Sequence, residues 1–197
     1  MSAPLVGNKA PRFTLEGVCN KEFKSYELPH KDGKWTILVF YPLDFTFVCP
    51  TEIIAFSEAT AKFRKLGAEL YGISVDSKFS HLAWTETPRD RGGVGEIAYP
   101  LLADLNKEVA TMFGALTPAG VALRALFIID DEGVIQHATI NNLSVGRKVE
   151  ETMRLLQAYQ YTKSHAGEVC PAEWEPGKET MKANPSGLKD YARKVHA

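Results

Sequence analysis

Residues 36–52 read T-I-L-V-F-Y-P-L-D-F-T-F-V-C-P-T-E. The first six are apolar or β-branched without a break, the pattern of a strand buried on both faces. Pro50 and the acid Glu52 then open a periodic run, and the spacing of Ile53, Phe56, Thr60, Phe63 and Gly67 predicts a helix over about 51–66 with one largely apolar face. Cys49 therefore falls at the first turn of a helix, where unpaired backbone N–H groups and the macrodipole favour an anion. The thiolate is the nucleophilic form of cysteine, and helix N-termini and neighbouring cations promote it. Cys49 is placed to react.

Outward from this stretch, E-L-Y-G-I-S-V (69–75) reads as a second buried strand. A helix near 78–87, a loop holding R-G-G-V-G (91–95) and a short helix at 106–114 follow. R-A-L-F-I-I-D (124–130), the turn Asp131-Glu132-Gly133 and V-I-Q-H-A-T-I (134–140) form a hairpin pattern. A long amphipathic helix is expected over about 147–161. Residues 1–35 are mixed and punctuated by turn formers; residues 163–197 are richer in Gly, Pro and charge and read as an arm. Strand, helix with a reactive cysteine, strand, helix, hairpin and closing helix is the order of an α/β, thioredoxin-like fold. A doubly wound sheet begins similarly, but the late antiparallel hairpin favours the thioredoxin-like order.

The 197 residues suffice for one large domain, or a domain with an appended arm. A net charge of -1, with no basic stripe, gives no reason to expect nucleic acid or an anionic membrane as partner. No apolar run approaches the ~20 residues of a membrane span, and the first residues lack a secretory pattern. The expected location is the cytoplasm. The cysteines are Cys19, Cys49 and Cys170, with no C-x-x-C, and the histidines are not spaced as helical ligand pairs. Thiol chemistry is the better expectation than a disulfide framework or a metal site.

The stretch Y-P-L-D-F-T-F-V-C-P-T-E resembles the active-site signature of peroxiredoxins, with Pro42, Thr46 and Cys49 on its P-x-x-x-T-x-x-C core. H-A-G-E-V-C-P-A-E-W (165–174) is similar to the resolving-cysteine segment of the typical 2-Cys subfamily, the alkyl hydroperoxide reductase and thioredoxin peroxidase type. The likeness extends over nearly the whole chain, including L-R-A-L-F-I-I-D, N-N-L-S-V-G-R and the Gly-Gly-Val-Gly loop. It implies a domain over 1–162 with an N-terminal extension, and an arm over 163–197 that carries the resolving cysteine.

The resemblance implies a peroxidase for hydrogen peroxide and small organic hydroperoxides. Cys49 would be the attacking thiolate, oxidised to sulfenic acid, and Cys170 of a second subunit would condense with it to a disulfide. Arg124 would support the thiolate and hold the peroxide. Thr46 would offer a hydroxyl, either accepting from peroxide or donating to the thiolate, and Pro42 would cap the pocket without offering an N–H. Glu52 alone would oppose an anion at Cys49; the family pairs it with the arginine at Arg147. Neither metal nor organic cofactor is implied. The implied partners are thioredoxin or a flavoprotein disulfide reductase, and the implied assembly is a homodimer built into a ring of five dimers through the regions of Phe45 and Phe79.

Taken alone, the same residues also fit plainer uses. Cys49 fits a small buried hydrophobe, Arg124 a partner for an acid on the sheet, Thr46 a turn hydrogen bond and Cys170 a spare thiol. Cys19 has no motif around it. His81 and Trp84 read as packing at a helix or subunit contact, and Gly92–Gly95 as either a packed or a flexible loop. A ring-forming holdase and a peroxide-sensing redox relay are the alternative functions. In the family's over-oxidation-sensitive members, a Gly-Gly-Leu-Gly loop packs on a C-terminal helix carrying Tyr-Phe. Here Tyr191 is followed by Ala192, which predicts a looser arm and resistance to over-oxidation.

Overall fold

The computed structural model describes residues 5–30 and 32–195. Residues 1–4, read above for a leader, and the last two of the tail lie outside it. Two compact units emerge, one running to Val149 and the other from Glu150 onward.

The first unit is built on a seven-stranded sheet. Its strands are β1 (Phe13–Cys19), β2 (Glu22–Leu28), β3 (Trp35–Phe40), β4 (Ala68–Ser74), β5 (Leu101–Ala103), β6 (Arg124–Ile129) and β7 (Ile135–Asn141). They lie in the order β2-β1-β5-β4-β3-β6-β7. β3 pairs parallel with β4 and antiparallel with β6, and β6 pairs antiparallel with β7. That is the thioredoxin-like core, with β3 at its centre and wholly buried, as its unbroken apolar run requires.

The pleat sends alternate residues of β3 to opposite faces. Leu38 and Phe40 enter a cluster with Phe13, Phe113, Phe127 and Ile129. Its rings meet edge-on or tilted, Phe113 lying 4.9 Å from Phe127 and 5.6 Å from Phe40. Helix α1 (Cys49–Lys65) buries Ile53, Phe56, Thr60 and Phe63, the face its periodicity marked. α2 (Lys78–Glu86) starts at an N-cap, Ser77, whose hydroxyl accepts from the Ser80 N–H at 3.2 Å, and α3 (Glu108–Met112) is short.

The N-terminal extension, whose sequence shows only mixed turn formers, is a hairpin. Asn20 (φ 51°) and Lys21 (φ 63°) close it, and β1 docks antiparallel on β5. The loop after α2 is packed rather than loose. The indole N–H of Trp84 donates to the Gly92 carbonyl at 3.0 Å, Val94 is fully buried, and a Cβ at Gly93 would lie 1.9 Å from the Thr87 carbonyl oxygen. Only glycine fits there.

The second unit holds α4 (Val149–Ser164, whose first residue closes the first unit), β8 (Glu168–Val169), β9 (Met181–Lys182) and α5 (Pro185–Val195). β8 and β9 pair antiparallel, and Glu168 accepts hydrogen bonds from Tyr161 (2.7 Å) and Thr180 (2.6 Å). The arm region thus has its own secondary structure.

Candidate active site

Cys49 is the first residue of α1 and is completely buried. Residue 48 offers no capping side chain. Instead the Val48 carbonyl accepts from the Thr51 N–H (3.1 Å), the Glu52 N–H (3.3 Å) and the Thr51 hydroxyl (2.7 Å). Pro50 has no N–H to donate. The chain preceding α1 therefore brings the sulfur to the positive end of the helix, beside the central strand.

Arg124 opens β6, 75 residues from Cys49 in sequence but on the strand that pairs with β3 in the sheet. Its Nη1 lies 3.4 Å from Cys49 Sγ and 2.8 Å from Glu52 Oε2, while its Nε donates to the Leu143 carbonyl at 2.7 Å. Glu52, one helical turn from Cys49, is 2% exposed. Arg147 grips its carboxylate through the backbone N–H (2.7 Å), Nε (2.8 Å) and Nη2 (3.0 Å), and donates from Nη1 to the Ala125 carbonyl at 2.7 Å. Burial alone would push the Glu52 carboxyl up; the hydrogen bonds and charge of Arg147, with the charge of Arg124, outweigh it and hold the group below its ordinary range. Gly146 keeps this corner tight: a Cβ there would come within 3.2 Å of Val48 Cγ1 and 3.5 Å of Glu52 Cγ.

Two buried guanidinium groups thus face one carboxylate. One positive charge is left in excess, and Arg124 directs it at the sulfur. Arg124 thus pairs with an acid, one on α1 rather than on the sheet, and the same Nη1 also faces Cys49. Such a site favours negative charge that develops along a bond to the sulfur.

Thr46 is half-buried and its hydroxyl donates to the Leu43 carbonyl at 2.9 Å. The turn bond is therefore present, and it commits the hydroxyl's one proton; the oxygen lone pairs stay able to accept. Pro42 is buried beside Tyr41 at the end of β3. Cys170 follows β8 in the second unit, half-buried, with its thiol 3.8 Å from the Ala158 carbonyl. Cys19, Cys49 and Cys170 are all free thiols. Cys19 ends β1, half-buried, and burial pushes its thiol up.

The sequence reading missed a second buried polar group. Asp44 accepts from the Tyr41 hydroxyl (2.8 Å) and the Ser80 hydroxyl (2.7 Å), and its Oδ2 lies 2.8 Å from His81 Nδ1. His81 is entirely buried, and Trp84 packs its ring 5.8 Å from Tyr41 and 6.1 Å from Phe45. The available signal was Asp44 with the polar Ser80-His81 pair, in elements that only the sheet brings together. Among the described residues no three of His, Cys, Asp or Glu gather as ligands for a metal ion.

The model of the AhpC/TSA family matches residues 6–138, and that of the C-terminal domain of 1-Cys peroxiredoxin matches residues 158–194, a segment that here includes Cys170. The chloroplastic 2-Cys peroxiredoxin BAS1 of Hordeum vulgare is 57% identical over 190 residues, covering 95% of this chain and 90% of that protein. The chain belongs to the 2-Cys peroxiredoxins of the AhpC/TSA family. A chloroplastic 2-cysteine peroxiredoxin of Chattonella marina var. antiqua is 56% identical over 187 residues, 94% of this chain and 96% of that one. The reduced 2-Cys peroxiredoxin of Plasmodium vivax superimposes with a TM-score of 0.94 at 43% identity, over 97% of this chain and 100% of that one. As a peroxiredoxin, the chain is a thiol-dependent peroxidase, an oxidoreductase that acts on peroxides.

The expected cytoplasmic location is corrected by these relatives. The barley and Chattonella proteins are named chloroplastic, which points to a plastid rather than the cytoplasm. Composition and charge of a folded domain carry no address, because the soluble interior of an organelle selects for the same surface as the cytosol.

Proposed function

We propose that Cys49 is the sulfur that peroxide oxidises and Cys170 the thiol that resolves it. The observation that carries this reading is the 3.4 Å approach of Arg124 Nη1 to a buried Sγ, with Glu52 neutralised by a second arginine. Cys49 thiolate attacks one peroxide oxygen; the S–O bond forms as the O–O bond breaks, and the second oxygen leaves as hydroxide or alkoxide. Negative charge spreads along that line, where Arg124 is already aimed. Thr46, its proton held by Leu43, accepts a hydrogen bond from the attacked oxygen's O–H. Pro42 covers the pocket and keeps water from the product.

Cys170 then attacks the sulfenic acid of Cys49, the S–S bond forms, and hydroxide leaves with the thiol proton as water. An S–S bond needs Cα atoms about 4.4–6.8 Å apart, and a fully buried Cys49 can meet that only if the first turn of α1 opens. Three hydrogen bonds of that turn end on the one Val48 carbonyl, so rotation of a single peptide would release them together, which supports such opening.

Resolution runs between subunits of a homodimer, with residues 163–197 as the arm. The sheet ends at β7, and Ile140 (47% exposed), Leu143, Val145 and Phe47 (93%) are exposed around it and ahead of α1, an apolar surface suited to a second copy. Exposed Phe45 and Phe79 support a further contact that closes five dimers into a ring. Thioredoxin or a flavoprotein disulfide reductase returns the disulfide to thiols.

The test is stoichiometric peroxide added to wild type, Cys49→Ser and Cys170→Ser, read on non-reducing gels and by intact mass. A covalent dimer in wild type, lost in both variants, is expected. A Cys49–Cys170 bond within monomers would keep the chemistry and remove the intersubunit reading. Failure of Cys49 to oxidise would leave the holdase, and oxidation passed to another protein before the Cys49–Cys170 bond forms would leave the relay.

A further inference from the structure

Within the second unit, one side chain ties the segment after Cys170 to α4. Arg154 forms a fork with Glu151, Nε to Oε2 at 2.7 Å and Nη2 to Oε1 at 2.8 Å. Its remaining Nη1 reaches across to the Trp174 carbonyl at 2.8 Å. One turn further along α4, the Ala158 carbonyl receives the Cys170 thiol at 3.8 Å. Residues 170 and 174 are thus seated on consecutive turns of one helix, the second by a charge-assisted bond.

Between them the chain is a folded turn. The Trp174 N–H donates to the Pro171 carbonyl and its indole N–H to the Lys178 carbonyl, both at 3.2 Å, and its ring packs 5.6 Å from Tyr161. A segment so bonded moves as one piece, so the Arg154–Trp174 bond also restrains Cys170. The thiol's own bond at 3.8 Å is the weaker of the two.

We propose that Arg154 is a positioning residue of the resolving step: it latches the Cys170–Trp174 turn to α4, and its release sets how fast Cys170 reaches oxidised Cys49. This rests on the reading of Cys170 as the resolving thiol. Seated, the sulfur is also a poor nucleophile. Burial pushes the Cys170 thiol up, the Arg154 charge offsets this only in part, and Glu168 adds to the rise. Freed into solvent, it regains the reactivity of an ordinary thiol. The step itself is unchanged: Cys170 loses its proton, the S–S bond forms, the S–OH bond of Cys49 breaks, and water leaves.

The experiment follows two rates on the same full-length protein after a pulse of hydrogen peroxide: Cys49 oxidation, then disulfide formation, by rapid quench and intact mass. Arg154→Gln removes one hydrogen bond to a charged group, so disulfide formation should accelerate by about tenfold, with Cys49 oxidation unchanged. Arg154→Lys, which keeps charge but lacks the fork, should recover part of the restraint. Glu151→Gln keeps the arginine and loosens only its anchor, so it should accelerate less. Resolution within twofold of wild type in Arg154→Gln overturns the latch. Slower resolution with a rate profile displaced to higher pH also overturns it, and assigns Arg154 to the charge on the attacking sulfur instead. A disulfide that forms equally well in Cys170→Ser overturns the reading of Cys170 itself, whatever Arg154 does.

Discussion

Replacing Arg124 by glutamine tests the electrostatic argument at its centre. In the wild type two guanidinium groups oppose one carboxylate; in Arg124→Gln one opposes one, and the excess charge facing Cys49 is gone. Unit charges about 4 Å apart interact by roughly 4 kcal/mol at an effective dielectric of about 20, and Arg124 Nη1 is 3.4 Å from the sulfur. Loss of one preorganised donor to an oxyanion costs about 2.7–4 kcal/mol in other enzymes, so the two routes agree. The second-order rate of Cys49 with hydrogen peroxide should fall about 10²–10³-fold. Stopped-flow mixing of pre-reduced protein with peroxide reads it directly, with urea unfolding as the control for fold. Glu52 keeps its bonds from Arg147, so the fold should survive. Arg124→Lys retains the charge without the geometry that spans Sγ and Glu52, and should fall between. A well-folded Arg124→Gln within threefold of wild type would refute the reasoning.

Three further outcomes follow from the same contacts. Glu52→Gln leaves two buried arginines short of a partner and should cost about 3–5 kcal/mol at pH 7 by urea unfolding. Because the folded carboxyl titrates below its unfolded value, its stabilisation is complete above an unfolded pKa of about 4.3 and is lost as pH falls through the lowered folded value; the variant's stability should lack that acid decline. Gly93→Ala drives a Cβ into the Thr87 carbonyl and should cost about 1–3 kcal/mol or more, seen as a lower urea midpoint with unchanged slope. Wild type should hold its activity through turnover at low millimolar peroxide, while Ala192→Phe should accumulate more sulfinic Cys49 by mass; rapid inactivation of the wild type would sink this.

What could be read in advance was whatever one segment settles by itself. The run at 36–41 carries no charge and no polar group beyond the hydroxyls of Thr36 and Tyr41, so it reads as a buried central strand, and Pro50 with Glu52 marks where the next helix starts. The β1–β2 hairpin escaped because its turn is Asn20-Lys21, two positive-φ residues without the glycine that usually announces such a turn. β5 is three residues long, too short for any period to show. Arg124, Arg147 and Glu52 were found by likeness to a family, since no local pattern links positions from three separate segments. Their double pairing, and the Asp44–His81 group, are products of the sheet order. A buried charge is legible only once its partner is known.

The three donors gathered on the Val48 carbonyl have a consequence for wear. One rotation of a single peptide detaches all of them, while Ile53, Phe56 and Phe63 keep the rest of α1 moored in the core. If the first turn of α1 opens for the Cys49–Cys170 bond as proposed, the joint that moves is confined to a few residues, like a hinge pin set in a rigid door. The remainder of the molecule is spared repeated loosening, and an enzyme that meets a corrosive substrate many times exposes little of its interior on each occasion.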